Sequence, residues 1–194
     1  MKSKNKMCLI IIALVILTIV ISIFLISKFK VFKANKKAEE NIKIGDNEIL
    51  TNLEELAKSD IQESDIIGTL TIPDILLDSV PIKEGTKLEI IKDAIGHFTE
   101  TSIYGGNVGL AAHNTGENCA FFKDLNKLKL GSEIYYETLY GTRKYVVKLI
   151  KVIDETDWSY LEGTLDNRIT LITCINGQNN KRLCVQGVEF VDNN

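Results

Sequence analysis

The chain has 194 residues, 23 of them basic and 26 acidic, a formal charge of −3, and 45% hydrophobic residues. That length suits one globular domain plus an additional segment. The acidic balance gives nucleic-acid binding no electrostatic support.

The additional segment is at the front. Met7 to Ile26 is a run of Leu, Ile, Val, Ala and Phe, interrupted by Cys8, Thr18 and Ser22. About 20 residues is the length that spans roughly 30 Å of hydrocarbon. A cleaved signal peptide has a shorter apolar core and a small-residue cleavage site. Here the core is long and Ser27-Lys28-Phe29-Lys30 follows it, which predicts an uncleaved helical anchor within residues 1–30. Lys2, Lys4 and Lys6 precede the span; Lys28, Lys30, Lys33, Lys36 and Lys37 follow it. Lysine count alone would put the C-terminal side in the cytoplasm.

Residues 31–65 carry mixed charge and few aromatics and read as a partly helical spacer. Residues 1–40 hold eight lysines and two glutamates, so the remainder has 15 basic and 24 acidic residues, a formal −9.

From residue 66 the pattern is mostly strand. Ile67–Ile72 is the first, stopped by Pro73, and Ser79–Ile82 a short second. Thr86–Ala94 has apolar residues at helical spacing, with Thr86 as its N-cap. Gly105-Gly106 is a turn and Val108–His113 a buried strand. Ala120–Lys127 reads as a short helix with Phe121, Phe122 and Leu125 inward. Strands follow at Glu133–Thr138, Lys144–Ile153, Asn167–Cys174 and Arg182–Val191. Residues 175–181, between the last two, read as a mobile loop. Eight or so short strands with two short helices predict a mostly β domain, a closed β-barrel over residues 66–194.

The chemistry gathers at strand ends. Ile169–Cys174 is a β-branched strand ending in a thiol, and Gly109–His113 a small-residue strand ending in an imidazole. The thiolate is the attacking form of cysteine, and a free thiol with pKa near 8.5 is mostly protonated at neutral pH. An imidazole can take that proton and later protonate a leaving amine. A guanidinium can stabilise a developing oxyanion. Cys174, His113 and Arg182 are the candidates for those roles, although a cysteine taken singly reads as a buried cap of a core strand and Arg182 taken singly as a surface arginine beside Lys181; no acid partner for the histidine is identifiable. If the last two strands pair antiparallel, Cys174 and Arg182 sit at facing ends of one ladder. Alternation then puts Arg182, Cys184 and Gln186 on one face. His97, after Ile95-Gly96 at an expected helix end, reads as a capping or packing residue, and Trp158 as a loop or rim anchor. The four cysteines, Cys8, Cys119, Cys174 and Cys184, have no CxxC spacing and the two histidines are far apart, so no metal or other cofactor is expected.

Thr170-Leu171-Ile172-Thr173-Cys174 resembles the TLxTC signature of the sortase family. His113 and Arg182 match the other two members of the sortase Cys-His-Arg set, and Ile67–Pro73 resembles the start of the domain. The resemblance covers roughly residues 66–191. It implies an eight-stranded sortase-type barrel with His113, Cys174 and Arg182 as catalytic residues and Thr173 in contact with substrate. It implies a transpeptidase that cuts an LPxTG-like C-terminal sorting signal on surface proteins through a Cys174 thioester. An amine of a cell-wall precursor or another protein would resolve that thioester. The enzyme would be held on a Gram-positive-type membrane by its N-terminal helix with the catalytic domain outside, opposite to the lysine count. No Asp-Pro-aromatic lid motif precedes the barrel, no second hydrophobic span follows it, and the segment from Ile153 to Asn167 is short. Among sortases this leaves class A or D. Two other readings remain: a membrane-tethered cysteine peptidase with water as acceptor, and a non-catalytic peptide-binding β-domain.

Overall fold

The computed structural model describes residues 61–116 and 119–191, together with Lys33. The chain divides into two compact units, residues 1–46 and 47–194. Of the first unit only Lys33 is described; it is helical and exposed. The apolar run Met7–Ile26 and most of the spacer lie outside the described residues. Among those described, no helix is long and apolar enough to cross a membrane.

Among the described residues the second unit has eight strands. They are β1 (Ile66–Ile72), β2 (Leu77–Glu84), β3 (Ile95–His97), β4 (Asn107–Ala111), β5 (Glu133–Thr138), β6 (Gly141–Asp154), β7 (Arg168–Ile175) and β8 (Gln178–Glu189). They close into a barrel in the order β1-β2-β3-β4-β7-β8-β6-β5, with β5 returning to pair with β1. Two of the pairings are parallel, β2 with β3 and β4 with β7. The closed mostly β barrel expected from the strand pattern is thus observed.

Alternation explains the interior. Val108 and Leu110 of β4 point into the same core as Ile169 and Leu171 of β7 and Val185 of β8. The opposite face of β7 and β8 is also covered. Ile172 and Cys184 pack there with Ile153, Phe98, Tyr160 and Leu161. The cover comes from the β6–β7 connection, whose only regular element is a 3-10 turn, Trp158–Leu161. Burial on both faces is why β7 reads as an almost unbroken apolar run. It also explains Gly109: a Cβ there would come within 2.7 Å of Leu161 Cδ2 and 2.9 Å of Thr101 Cγ2.

A polar network pins that cover down. The Thr170 hydroxyl donates to Asn107 Oδ1 at 2.7 Å and accepts from Gln186 Nε2 at 3.0 Å. The Asn107 amide donates to the carbonyls of Tyr160 and Glu162, both at 2.9 Å. Gln186 Nε2 reaches the Tyr160 carbonyl at 3.1 Å. Three adjacent strands therefore hold one turn by its backbone.

His97 is packed, and it lies in a strand, not at a helix end. It is fully buried and opposite Glu84 in the β2–β3 ladder. Its Nδ1 is 2.8 Å from Glu84 Oε2, and its Nε2 is 3.0 Å from the Ser102 carbonyl and 3.1 Å from Thr101 Oγ1. A carbonyl only accepts, so Nε2 carries a proton. Thr101 donates onward to the Phe98 carbonyl and accepts from the Gly109 amide. This buried cluster fixes the β3–β4 turn beside the cleft described below.

Several local expectations are corrected. Helix α1 is a single turn, Leu88–Ile91, and its N-cap is Lys87 with no side-chain capping bond, not Thr86. The chain leaves it into β3, a strand too short for alternation to reveal. Ala120–Lys127 forms turns ending in a 3-10 helix at Leu125–Lys127, although Phe122 and Leu125 are buried as expected. The second strand is longer than read, and β4 ends at Ala111, two residues before His113. Residues 175–181 are not a loop: Ile175 extends β7, β8 begins at Gln178, and Ile175 pairs with Gln178 across a two-residue turn. Gly177 takes φ 76° there, a conformation open to glycine without steric cost.

Candidate active site

The β7–β8 register sets Cys174 directly opposite Arg182. Cys184 pairs with Ile172, one step inward and diagonal to Cys174. Cys174 is exposed, whereas Cys184 has no accessible surface. Burial pushes the Cys184 thiol from its ordinary 9.0 up to about 12, with the charge of Asp157 adding to the rise and Lys151 opposing it. Cys119, Cys174 and Cys184 are all free thiols.

His113 reaches the same place from β4. Because β4 and β7 run parallel, with Ala111 beside Ile172, both chains leave the sheet at the same end. Side chains extend the pairing past the ladder. The Thr173 hydroxyl, buried, donates to the Ala112 carbonyl at 2.7 Å. The Asn114 amide donates to the Cys174 carbonyl at 2.6 Å and lies 3.3 Å from Asn176 Oδ1. The two neighbours of His113, Ala112 and Asn114, are thereby tied to Thr173 and to the Cys174 carbonyl.

His113, Thr173, Cys174 and Arg182 line one cleft of about 510 Å³. The first part of the β6–β7 connection, residues 155–158, also lines it, with Asp154 at the end of β6, Phe98 and α1. Trp158 meets Phe98 edge-on at 6.1 Å, and beyond that pair lies a second cavity of about 530 Å³. Two ion pairs flank the cleft, Arg182 with Glu155 at 2.9 Å and Lys181 with Asp154 at 3.2 Å. Thr156, through its hydroxyl and then its amide, and Lys181 hold the Asp154 carboxyl below its usual range. Among the described residues no cluster of three or more His, Cys, Asp or Glu side chains could hold a metal ion.

All four residues singled out from the sequence therefore border one cleft, although the Thr173 hydroxyl is committed to Ala112. Asn114, Glu155 and the Asn107–Thr170–Gln186 network were not singled out. Asn114 follows His113 directly, but its partners Cys174 and Asn176 lie 60 and 62 positions away. Glu155 is 27 positions from Arg182, with no local signal to join them.

A family model for the sortase domain matches residues 70–189. The chain is 30% identical over 138 residues to Sortase A of Bacillus anthracis, covering 70% of this chain and 65% of that protein. It is 30% identical over 109 residues to Sortase A of Listeria monocytogenes, covering 56% of this chain and 49% of that protein. The chain thus spans less than two thirds of the length of both curated relatives. Among solved structures, sortase C from Clostridium perfringens SM101 superposes with a TM-score of 0.63 at 28% identity, covering 77% of this chain and 90% of that one. A Clostridium perfringens Sortase D5 transpeptidase gives 0.63 and 28%, covering 72% and 88%.

Proposed function

Because this chain belongs to the sortase family, we propose that it is a cysteine transpeptidase acting on C-terminal sorting signals of surface proteins. The observation that carries the reading is the convergence of Cys174, its ladder partner Arg182, and His113 on one cleft.

The chemistry runs through this chain's own groups. The Cys174 thiolate attacks the carbonyl carbon of the Thr–Gly bond in an LPxTG-like peptide. Arg182 N–H groups receive the oxygen as it becomes negative. His113 gives a proton to the departing glycine amine, leaving a thioester on Cys174. An amine of a cell-wall precursor or protein then attacks the thioester, His113 takes its proton, and the thiolate is released. Thr173 borders the substrate as part of the cleft wall while its hydroxyl holds the His113 segment in place. Asn114 is assigned the same holding role from the other side.

Class A or D is the subclass reading, supported by the short β6–β7 connection with its single 3-10 turn. The protein acts at a Gram-positive-type cell surface, tethered by Met7–Ile26 with the catalytic domain outside. The tether rests on the apolar run in the sequence and on the family.

The test is incubation of the protein with a library of sorting peptides, with and without an added amine, read by mass spectrometry. A Cys174 acyl adduct and an amine-joined product are expected, both lost in Cys174→Ala. Hydrolysis alone in the presence of amine makes the protein a peptidase, and absence of any adduct makes it a binding domain.

A further inference from the structure

Arg182 offers five N–H donors, and the protein itself takes three. Nη1 donates to the carbonyls of Asn179 at 2.8 Å and Lys181 at 2.9 Å, and Nη2 donates to Glu155 Oε2 at 2.9 Å. Three anchors in different directions fix the plane of the guanidinium. Among the described residues this leaves Nε–H and one Nη2–H without a protein acceptor.

Glu155 is itself held. Its backbone amide donates to the Asn180 carbonyl at 3.0 Å. The preceding Asp154 lies opposite Lys181 in the β6–β8 ladder. Asp154 accepts from the Thr156 amide and hydroxyl on Oδ1, at 3.2 and 2.8 Å, and from Lys181 on Oδ2 at 3.2 Å. Carboxylate and guanidinium are thus fixed from both strands at one end of the β6–β8 ladder. The pair is solvent-accessible, with side-chain exposures of 26% for Arg182 and 42% for Glu155. Exposed ion pairs contribute little to folding stability, so the effect of this one falls on where the guanidinium points.

We propose that Glu155 is a positioning residue for Arg182. Its carboxylate holds the guanidinium so that Nε–H and the second Nη2–H form the fork that receives the peptide carbonyl oxygen. This rests on the transpeptidase reading above. Glu155 and Trp158 belong to the same cleft-lining connection, so a peptide that shifts that connection also shifts the arginine.

The test uses the full chain in detergent micelles and a synthetic peptide containing Leu-Pro-x-Thr-Gly. Glu155→Ala lowers kcat about tenfold, less than the roughly 10²–10³ seen on removing an oxyanion donor outright. KM and Tm are nearly unchanged. Glu155→Gln, whose amide oxygen still accepts from Nη2, recovers most of the rate. In an Arg182→Ala background, Glu155→Ala has no further effect. A Glu155→Ala enzyme with unchanged or raised kcat overturns the proposal, as does an equal loss in both backgrounds. If the wild-type chain turns the peptide over, those results sink the positioning role alone. If the wild-type chain forms no thioester, the positioning role falls together with the transpeptidase reading.

Discussion

Alkylation of the native protein separates its described cysteines by an amount that follows from their surroundings. Cys184 has no accessible surface, and burial pushes its thiol from 9.0 up to about 12. The thiolate is the reacting form, so at pH 8 Cys184 is about 10⁻⁴ ionised, against about 10⁻¹ for a thiol of 9.0. Ionisation alone therefore slows its labelling about 10³-fold. The local opening that admits a reagent slows it further. Cys174 is exposed at the ladder end beside Arg182 and needs no opening. The assay is timed labelling with iodoacetamide at pH 8, quenched and mapped by peptide mass. Cys174 labels first, half-buried Cys119 next, and Cys184 last by a factor of about 10³ or more. Labelling in urea removes the order. A Cys174–Cys184 disulfide does not form without added oxidant, because diagonal strand neighbours have Cα atoms about 7–8 Å apart and a relaxed bridge needs about 4.4–6.8 Å. If Cys184 labels within about tenfold of Cys174, or the bridge forms spontaneously, then the register or the choice of nucleophile is wrong.

The same thiol gives a pH dependence. Below pH 9 folded and unfolded chains both keep the Cys184 proton; between 9.0 and about 12 only the folded one does. This group therefore lowers stability as pH rises through that window, by up to about 1.4 kcal/mol per pH unit, and Cys184→Ala flattens the alkaline limb of a urea-midpoint titration. Thr170→Val keeps the shape but strips partners from Asn107 and Gln186; it costs about 1–3 kcal/mol, read as a lowered thermal midpoint, and loosens the Trp158–Leu161 turn, read as a raised KM. His113→Ala loses at least about 10² in rate, and Arg182→Lys is also poor because an ammonium cannot engage Asn179, Lys181 and Glu155 while keeping two donors for substrate; a fully active lysine variant reduces Arg182 to a generic charge. Removing residues 1–40 leaves a formal charge of −9 and a soluble monomer, checked by gel filtration; persistent membrane association contradicts a single anchor.

What was legible in the sequence was whatever depends on local pattern. β1, β5 and β6 repeat their apolar residues with period two, β7 stands out as a short β-branched run buried on both faces, and closure followed from the number of strands. The Cys174–Arg182 facing arrangement followed from counting across one antiparallel ladder. β3 was missed because three residues carry no period, and Ile95 joined equally well to the apolar spacing of Leu88 and Ile91. The hairpin was missed although Asn176-Gly177 is a strong two-residue turn signal; the polar residues after it, Gln178 to Lys181, read as loop because β8 is exposed there. Glu155, Asn114 and the Thr170 network depend on long-range contacts, and no window on the sequence contains both partners. The two threonines of the TLxTC stretch acquire separate physical meanings only in three dimensions. One secures the cover over the outer face; the other secures the histidine segment.

The parallel pairing of β4 with β7 has a consequence for the order of events during biosynthesis. His113 emerges from the ribosome about sixty residues before Cys174, and the β4–β7 crossover makes their meeting a long-range closure. Cys174 and Arg182 arrive together on the tight β7–β8 hairpin, and a hairpin can form locally in microseconds. A nascent or prematurely terminated chain therefore carries the imidazole without the thiol, and a chain lacking β8 carries the thiol without the guanidinium. Cys174, His113 and Arg182 come together only once the barrel has closed around them.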